Sequence, residues 1–529
     1  MKASAPTANA GFPLPLAVIV LLCAAYLIVG NVGHDPWKAD DAVHLGIAYD
    51  LHTGDDWLPR IAGEVWMGVI PAYHWVAAAT AWLTQWLLPF HDGARLATAL
   101  FGALFLFFLA RSAAVLYEAN SGLVAPVLAI GTLGLLVPIH DAQPAVAVLA
   151  ASAFAYYGLA RLQQTPISAA LIAGLGYGCA FLAGGLAGVS PLLPLLLLPL
   201  LQKSPLVLGV TLLSAVTLAA IWPALLAVTH PELLRVWWNE ELAAATLSSK
   251  TFSRDHLELL AWFAWPTLPL GAWAVWASRR QWREWHIALP LLGTVVALIW
   301  FFYHEARPLA ALPLLTPLTL LASGGAHKLR RGAANAFNWF GMMTFTLVIG
   351  LIWLGGIAMW IGLPTQIARN FAKLEPGFDM QFSVGALALA LAFSTAWIAA
   401  LTKLPRSPWN AAIRWGTGIV AMWGVLVALW FPWIDYGKTY RGVATALRHA
   451  LPRNSGCVSG RDIGPAQRAV IDYFAGIRTQ AETKTASCRW LLVLGSAHQE
   501  PAPAGWRKTW EGNRPGDKSE RLRLYRRDE

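Results

Sequence analysis

The chain has 529 residues, of which 57% are hydrophobic and 13% are charged. An average soluble protein has about 25% charged residues, so this composition excludes an ordinary soluble enzyme and indicates a polytopic membrane protein. The formal net charge of +10 at pH 7 is explained by basic residues in short loops, which orient membrane proteins. No nucleic-acid-binding motif interrupts the apolar runs, so we expect no nucleic-acid partner.

The first apolar run covers residues 13–29 and is roughly long enough to cross a bilayer. Lys2 alone supplies positive charge before it, and no clean cleavage site follows, so we interpret the run as a retained span. A polar and acidic loop, residues 32–93, comes directly afterwards. Carboxylates are costly near hydrocarbon and are usually functional there. We therefore expect the chemistry in this loop.

Hydropathy predicts about thirteen transmembrane helices within residues 1–434, an all-α polytopic domain. The runs are roughly 18 to 25 residues long and lack the alternation of a β-barrel, so helices must satisfy the backbone. Basic residues recur in every second loop, which places the N-terminus in the cytoplasm of a bacterial inner membrane and the tail in the periplasm. The predicted spans are 12–31, 94–116, 122–139, 143–161, 167–184, 187–201, 206–229, 257–278, 286–303, 308–325, 338–361, 384–402 and 412–433.

The tail, residues 435–529, is predicted to form a small soluble α/β domain on the periplasmic side. Helical patterns cover residues 440–451 and 467–474. Strand patterns cover residues 489–494 and 521–525. No nucleophile–base arrangement is evident in these residues, so we expect the catalytic groups elsewhere.

Four cysteines are present. Cys23 and Cys179 lie inside apolar runs, where a thiol packs as a small apolar group. Cys457 and Cys488 both lie in the tail, which favours a disulfide; two free thiols are the alternative. A disulfide requires an oxidising compartment, which agrees with a periplasmic tail.

Asp40 and Asp41 are the leading candidates for catalysis in the first loop. Asp41 and His44 are three residues apart and Asp40 and His44 are four apart, so on a helix either pair could share a face. A carboxylate here can act as general base on an acceptor hydroxyl, or it can hold a divalent cation. The alternative is that an aspartate caps the start of a helix, and the two residues can divide these roles.

Two further groups lie in loops that are predicted to share this side of the membrane. Arg60 follows the segment Asp55-Asp56-Trp57, which either forms a turn or belongs to the site. His140 and Asp141 lie in a very short loop between two helices. They either cap a helical turn or add an acidic group to the same cavity.

Arg307 begins the tenth predicted span. Its guanidinium suits bidentate phosphate recognition at the mouth of a cavity; alternatively, it reaches to the membrane interface as an anchor. Glu240 and Glu241 lie in the predicted loop 230–256, and we interpret both as solvated side chains.

Three motifs in order resemble the first outer loop of GT-C fold glycosyltransferases. They are Lys38-Ala39-Asp40-Asp41-Ala42, Gly54-Asp55-Asp56-Trp57-Leu58-Pro59-Arg60 and Ile70-Pro71-Ala72-Tyr73-His74-Trp75. The branch that they resemble is the superfamily of dolichyl-phosphate-mannose protein mannosyltransferases and lipid A aminoarabinose transferases. Residues 307–317 and 510–525 are similar to later segments of that superfamily.

The resemblance implies a polyprenyl-phosphate-linked sugar donor and inverting transfer of a hexosyl or pentosyl group at the outer face of the membrane, among membrane lipids. The acceptor is an envelope glycolipid, glycan or protein, and neither the sugar nor a need for a divalent metal is defined. The family's catalytic base maps to Asp40, with Asp41 in the place of the neighbouring Glu. The residues then expected to contact the donor phosphate or the substrate are Lys38, His44, Arg60, Tyr73, His140, Asp141 and Arg307.

The chain departs from the family at Gly68 and Val69, where relatives have Glu and Lys. The lysine that would meet the lipid phosphate is therefore missing. Either Arg307, Lys38 or Arg60 supplies the charge, or the donor differs, or activity is reduced. Two other classes stay open: a non-catalytic scaffold for envelope assembly, and a lipid or sugar transporter. Against transport, the notable charges cluster at the outer boundary instead of at mid-bilayer.

Overall fold

The computed structural model describes residues 12–37, 39–54, 56–202, 204–246, 252–452, 454–481, 488–498 and 503–527. Its helices are α1 (Leu16–Ile28), α2 (Asp40–Thr53), α3 (Ala72–Thr84), α4 (Phe90–Leu116), α5 (Ala119–Ile130), α6 (Pro144–Arg161), α7 (Pro166–Val189), α8 (Pro205–Ala219), α9 (Ile221–Thr229), α10 (Pro231–Ala245), α11 (Arg254–Phe263), α12 (Thr267–Ala277), α13 (Trp285–Phe302), α14 (Pro308–Ala311), α15 (Leu315–Gly325), α16 (Arg331–Ile361), α17 (Thr365–Leu374), α18 (Val384–Thr402), α19 (Asn410–Lys438), α20 (Arg441–Ala450) and α21 (Pro465–Ala475). Its strands are β1 (Arg60–Ile61), β2 (Glu64–Val65), β3 (Val458–Arg461), β4 (Thr479–Ala481), β5 (Trp490–Ser496), β6 (Trp506–Gly512) and β7 (Glu520–Arg527). Short 3-10 segments cover Leu133–Leu135, Pro138–His140, Ser190–Gln202, Leu312–Leu314 and Ala326–Lys328.

Long apolar helices dominate the chain, which confirms the predicted class of polytopic helical membrane protein. Within the described ranges, eight helices are long and apolar enough to span a membrane, or nine if one pair bent by 62° counts as a single span. These helices are Phe90–Leu116, Pro166–Pro199, Pro205–Thr229, Trp285–Phe302, Pro308–Lys328, Arg331–Ile361, Val384–Thr402 and Asn410–Ala450. The predicted number of about thirteen includes shorter and broken helices, which this criterion does not count.

Three predicted spans differ from the observed helices for identifiable local reasons. The span predicted over 257–278 divides into α11 and α12 at Pro266, which lacks the N–H that a continuous helix would need. The two spans predicted over 167–184 and 187–201 form one bent run instead. The bend lies at Gly184 and Gly185, where Gly185 has φ +60°, a conformation that glycine adopts most readily.

The first loop is folded against the membrane helices. It contains α2, α3 and the hairpin of β1 and β2, in which Arg60 pairs with Val65. Small side chains let these helices approach closely: Ala77 and Ala81 on α3 pack with Ala94 and Ala97 on α4 in one buried cluster. This loop therefore has its own core and presents its polar residues at defined positions.

The C-terminal unit is a mixed sheet with two helices, as the tail pattern predicted. The strand order is β4-β3-β5-β7-β6, with β3 parallel to β4 and β5, and β7 antiparallel to β5 and β6. Cys457 and Cys488 form a disulfide with a Cα–Cα distance of 5.3 Å. Helix α19 continues to Lys438, so the boundary predicted after residue 434 falls inside this helix.

The C-terminal unit packs directly on the first loop. Ala42 of α2 belongs to the core that Val470 and Leu492 form, and Gly46 lies so close to Ala469 that no Cβ would fit between them. Polar contacts surround this apolar seam. They are Arg441 Nε to Asp35 Oδ2 at 2.8 Å, Tyr473 Oη to His91 Nδ1 at 2.8 Å, and Arg468 Nη2 to Glu64 Oε2 at 2.9 Å.

We predict that the double substitution Cys457→Ser/Cys488→Ser destabilises the C-terminal unit. The cross-link closes a separation of 31 residues, and its loss is expected to cost about 3 to 4 kcal/mol through the entropy of the unfolded chain. Thermal unfolding and limited proteolysis of the purified protein measure the effect. Cys23→Ser/Cys179→Ser is the control, and equal protease resistance of the two double variants would contradict the prediction.

Candidate functional site

A buried ion pair between Asp41 and Arg95 is at the centre of the first loop. Arg95 on α4 is fully buried and donates from Nε to Asp41 Oδ1 at 3.0 Å and from Nη2 to Oδ2 at 2.8 Å. The same carboxylate accepts hydrogen bonds from the backbone N–H groups of Ala142, at 2.8 Å, and Trp37, at 3.1 Å. Arg95 also donates to the carbonyl of His34 at 2.8 Å. One ion pair thus joins four segments of the chain.

The environment keeps Asp41 ionised. Burial alone would raise the pKa of this carboxyl, but the charge and hydrogen bonds of Arg95 outweigh burial and hold the pKa at about 2. Its oxygens are already occupied, so the geometry favours a structural role for Asp41 and leaves the predicted catalytic role to Asp40. The N-cap residue of α2 is Ala39, so neither aspartate caps this helix.

Arg95 was not singled out from the sequence. It lies near the start of a run predicted to span the membrane, where an arginine resembles an interfacial anchor. The available signal was the pattern His91-Asp92-Arg95, which places three titratable groups in the first two turns of α4.

Two further carboxylates, those of Asp40 and Asp141, lie near the ion pair. Among the described residues, neither of them accepts a hydrogen bond from Arg95. Asp40 is exposed in the first turn of α2, and Asp141 is half-buried in the loop before α6. Burial raises the pKa of Asp141 to about 7, assisted by the negative charges of Asp41 and Asp40 and opposed by Arg95. Its carboxylate has no hydrogen-bond partner in the described part of the chain. Asp141 can therefore exchange a proton near neutral pH.

Tyr73 and Thr98 position the loop that carries Asp141. The Tyr73 hydroxyl lies 2.6 Å from Thr98 Oγ1, and this oxygen donates to the carbonyl of Asp141 at 2.8 Å and accepts from the N–H of Gln143 at 3.2 Å. Together with the bond from the Ala142 N–H to Asp41, these contacts fix three successive loop residues. Tyr73 thus supports the backbone of this loop through Thr98.

A cavity of about 360 Å³ lies next to this loop. Its wall is mostly apolar and is formed by parts of α2, α6, α7, α10 and α13. Gly68, Val69 and Ile70 line one side of it. The polar side chains in the wall are His44, Gln143, Ser152, Tyr156, Glu241 and His304. Because His44 lines the cavity and lies one helical turn after Asp40 on α2, the carboxylate of Asp40 lies close to the cavity.

Two histidines in and behind the wall contact each other. His44 Nδ1 lies 3.0 Å from His74 Nε2, and His74 is fully buried. Burial lowers the pKa of His44 to about 4, although Asp41 opposes this change. Burial, assisted by His44, also lowers the pKa of His74 well below its ordinary value. Both rings are therefore neutral at pH 7 before a ligand binds.

Glu241 and His304 complete the polar part of the wall. Glu241 is 7% exposed and accepts from the N–H of Leu186 at 2.8 Å, where the helix resumes after Gly185. Our interpretation of Glu241 as a solvated side chain is therefore wrong, because the glycine bend makes room for its carboxylate; Glu240 is exposed as expected. His304 Nδ1 donates to the carbonyl of Trp300 at 2.7 Å, which leaves Nε2 buried and without a partner among the described residues.

The other predicted site residues lie away from the cavity. Arg60 pairs with Asp56 at 2.7 Å, and Arg307 pairs with Glu305 at 2.6 Å with a side chain that is 75% exposed. Neither arginine lines the cavity. Both ring nitrogens of His140 lie 2.6 Å from backbone carbonyls, which makes it a packing residue between helices.

Lys38 lies outside the described residues. Within the described ranges, no group of three or more His, Cys, Asp or Glu side chains is arranged to hold a metal ion.

The overall fold matches solved structures closely. No protein-family profile and no curated protein sequence matches the chain. ArnT from Cupriavidus metallidurans, solved in the apo state and bound to undecaprenyl phosphate, superposes with a TM-score of 0.71 over 96% of this chain and 97% of that chain at 14% identity. The chain has the predicted GT-C fold. An archaeal oligosaccharyltransferase, AglB from Archaeoglobus fulgidus, superposes with a TM-score of 0.48 at 12% identity over 91% of this chain and 69% of that chain.

We predict that Asp41→Asn or Arg95→Met destabilises the whole protein by about 3 to 5 kcal/mol, because each leaves a buried group without its partner. The double variant is expected to lose less than the sum of the two. Thermal unfolding in detergent measures these differences. Asp40→Asn is the matched control and should unfold like the wild type; an unchanged midpoint for Asp41→Asn would contradict the role of the pair.

Asp141 gives a second prediction, on pH. Its pKa is about 7 in the fold and 3.8 in its ordinary state, so the folded protein binds the extra proton between these values. The contribution of Asp141 to stability therefore falls as pH rises from 4 through 7. Asp141→Asn stays neutral, so its advantage in unfolding midpoint over the wild type should grow across this window and then level off. Glu240→Gln is the control. If the unfolding midpoints of Asp141→Asn and the wild type changed in parallel with pH, this would contradict the raised pKa of Asp141.

Proposed function

We propose that this protein is a membrane glycosyltransferase that moves a sugar from a polyprenyl-phosphate donor to an envelope acceptor at the outer face of the bacterial inner membrane. The observation that supports this proposal best is the position of an exposed carboxylate, Asp40, one helical turn before His44, which lines a largely apolar cavity. The fold shared with ArnT, which has been solved with undecaprenyl phosphate, supports the same donor class.

The cavity suits the two halves of such a donor. Val148, Leu149, Leu192 and Ala297 present an apolar wall for the prenyl chain. His44 lies on the first loop and Gln143 in the loop before α6, and this end of the cavity is where a phosphate would be held. Glu241 and the unpartnered Nε2 of His304 are hydrogen-bond acceptors, which suits them to sugar hydroxyl groups.

In the proposed reaction, Asp40 acts as general base. It accepts the proton of the acceptor hydroxyl or amine while that group attacks the anomeric carbon from the side opposite the phosphate. The bond between the anomeric carbon and the phosphate oxygen breaks, the new glycosidic bond forms with inversion, and the electron pair leaves with the lipid phosphate. Asp141, when protonated, can donate a hydrogen bond to the acceptor and hold it beside Asp40.

A second function is favoured by one specific observation. No lysine or arginine is among the residues that line the described cavity. A protein that binds the lipid phosphate weakly and does not turn it over would be a scaffold for envelope assembly. This alternative predicts that Asp40 is dispensable.

We expect Asp40→Asn to lower turnover by about 10²- to 10⁴-fold, the usual contribution of a general base. The variant should still bind undecaprenyl phosphate, since its cavity is unchanged. Mass spectrometry of the envelope lipids, glycans and proteins of cells with wild type, Asp40→Asn or no protein measures the product as a hexose- or pentose-sized mass shift. Glu240→Gln is the control for expression and folding. A full mass shift in the Asp40→Asn strain would eliminate the catalytic assignment, and no shift in any strain would favour the scaffold.

A further inference from the structure

The described cavity contains imidazole rings where a phosphate site would ordinarily contain a cation. Val69 occupies its wall on the side of the first loop, and His44 lines the wall beside it. A phosphate that enters an apolar cavity needs N–H or O–H donors, because an unpaired buried charge is very costly. The donor nearest to Asp40 along α2 is His44.

The contact with His74 selects one tautomer of His44. If His44 Nδ1 carried the shared proton, His74 would carry its own proton on Nδ1, which is buried without a partner. If His74 Nε2 carries the shared proton instead, its Nδ1 is an unpaired acceptor. Orphaned buried N–H donors are rarer than orphaned acceptors, so the second arrangement is favoured. It leaves His44 with an N–H at Nε2, the atom turned away from His74.

We propose that His44, oriented and held in its Nε2–H tautomer by His74, binds the donor phosphate in place of a lysine or arginine. This proposal rests on the proposed function, since it assigns the phosphate site of that reaction. His44 is a substrate-binding residue here, and His74 is a positioning residue that acts through it.

The surroundings of the ring determine how the site responds to pH. The titratable and charged groups around His44 are Asp40 and Asp41 on its own helix, His74 on α3, Glu241 on α10 and His304 after α13. The histidine pair is neutral before binding and the phosphate adds negative charge, so binding favours uptake of one proton by the pair. Affinity is therefore expected to fall as pH rises from 5 to 8. A lysine at this place would stay charged across that range and produce no such dependence.

The test measures binding of undecaprenyl phosphate to the purified full-length protein in nanodiscs, between pH 5 and 8. We expect His44→Ala to weaken binding by at least about tenfold and to remove the share of the pH dependence that the histidine pair contributes. Asp141, whose pKa is about 7, contributes a separate share, which Asp141→Asn removes. His74→Ala should weaken binding less. His74→Gln should restore it, because the amide nitrogen can donate to His44 Nδ1 as the ring nitrogen does. His52→Ala, on the same helix and outside the cavity, is the matched control.

A charge-replacement variant separates this proposal from the proposed function. His44→Ala/Val69→Lys returns a cation to the same wall. It should bind the lipid with nearly wild-type affinity, and the pH dependence that remains should be that of the phosphate and of Asp141. Wild-type affinity in His44→Ala, or equal affinities of His74→Ala and His74→Gln, would overturn the histidine assignment. If Asp40→Asn still abolished the product in that case, the proposed function would stand. Absence of lipid binding by the wild type would overturn both.

Discussion

The arrangement of the site depends on the ion pair between Asp41 and Arg95. Two charges out of water are expensive, and this pair is tolerable only because every oxygen and most of the N–H groups are hydrogen-bonded. These bonds hold the segment before α2, the start of α2, α4 and the loop before α6 in one arrangement. Asp40 and Asp141 come from two of those segments. Their proximity is a consequence of a charge pair that takes no part in the proposed chemistry.

The hydrogen bonds around this ion pair also explain why the side chains of Asp40 and Asp41 lie in different environments. Asp41 turns inward, where a guanidinium stabilises its charge; Asp40 turns outward to solvent. Among the described residues no cation lies at hydrogen-bond distance from the Asp141 carboxyl, and burial raises its pKa to about 7. Three carboxyl groups within one small region thus lie in three different environments. Environment, not residue type, assigns a permanent anion, an accessible base and a group that can carry a proton.

The sequence predicted the class and the GT-C fold, because hydropathy and short ordered motifs depend on local residues. Other features depend on distant parts of the chain. In the sequence, Arg95 looks like an arginine at the end of a membrane span, and only the packing of α4 shows that it binds Asp41. Glu241 looks like a surface residue, and only the bend at Gly185 shows that its carboxylate is buried. His74 lies inside a recognised motif, but its function depends on a distance of 3.0 Å to another helix. Hydropathy also cannot separate one bent span from two short ones.

The seam between α2 and the C-terminal unit affects the order in which the site is built. Ala42 and Gly46 on the helix that begins with Asp40 are covered by residues more than 400 positions later in the chain. The membrane helices are synthesised and inserted before those residues exist, so α2 must wait with one apolar face uncovered. The first loop reaches its final packing only after the C-terminal unit has folded and docked on it. The site is therefore completed only after the whole chain has been synthesised.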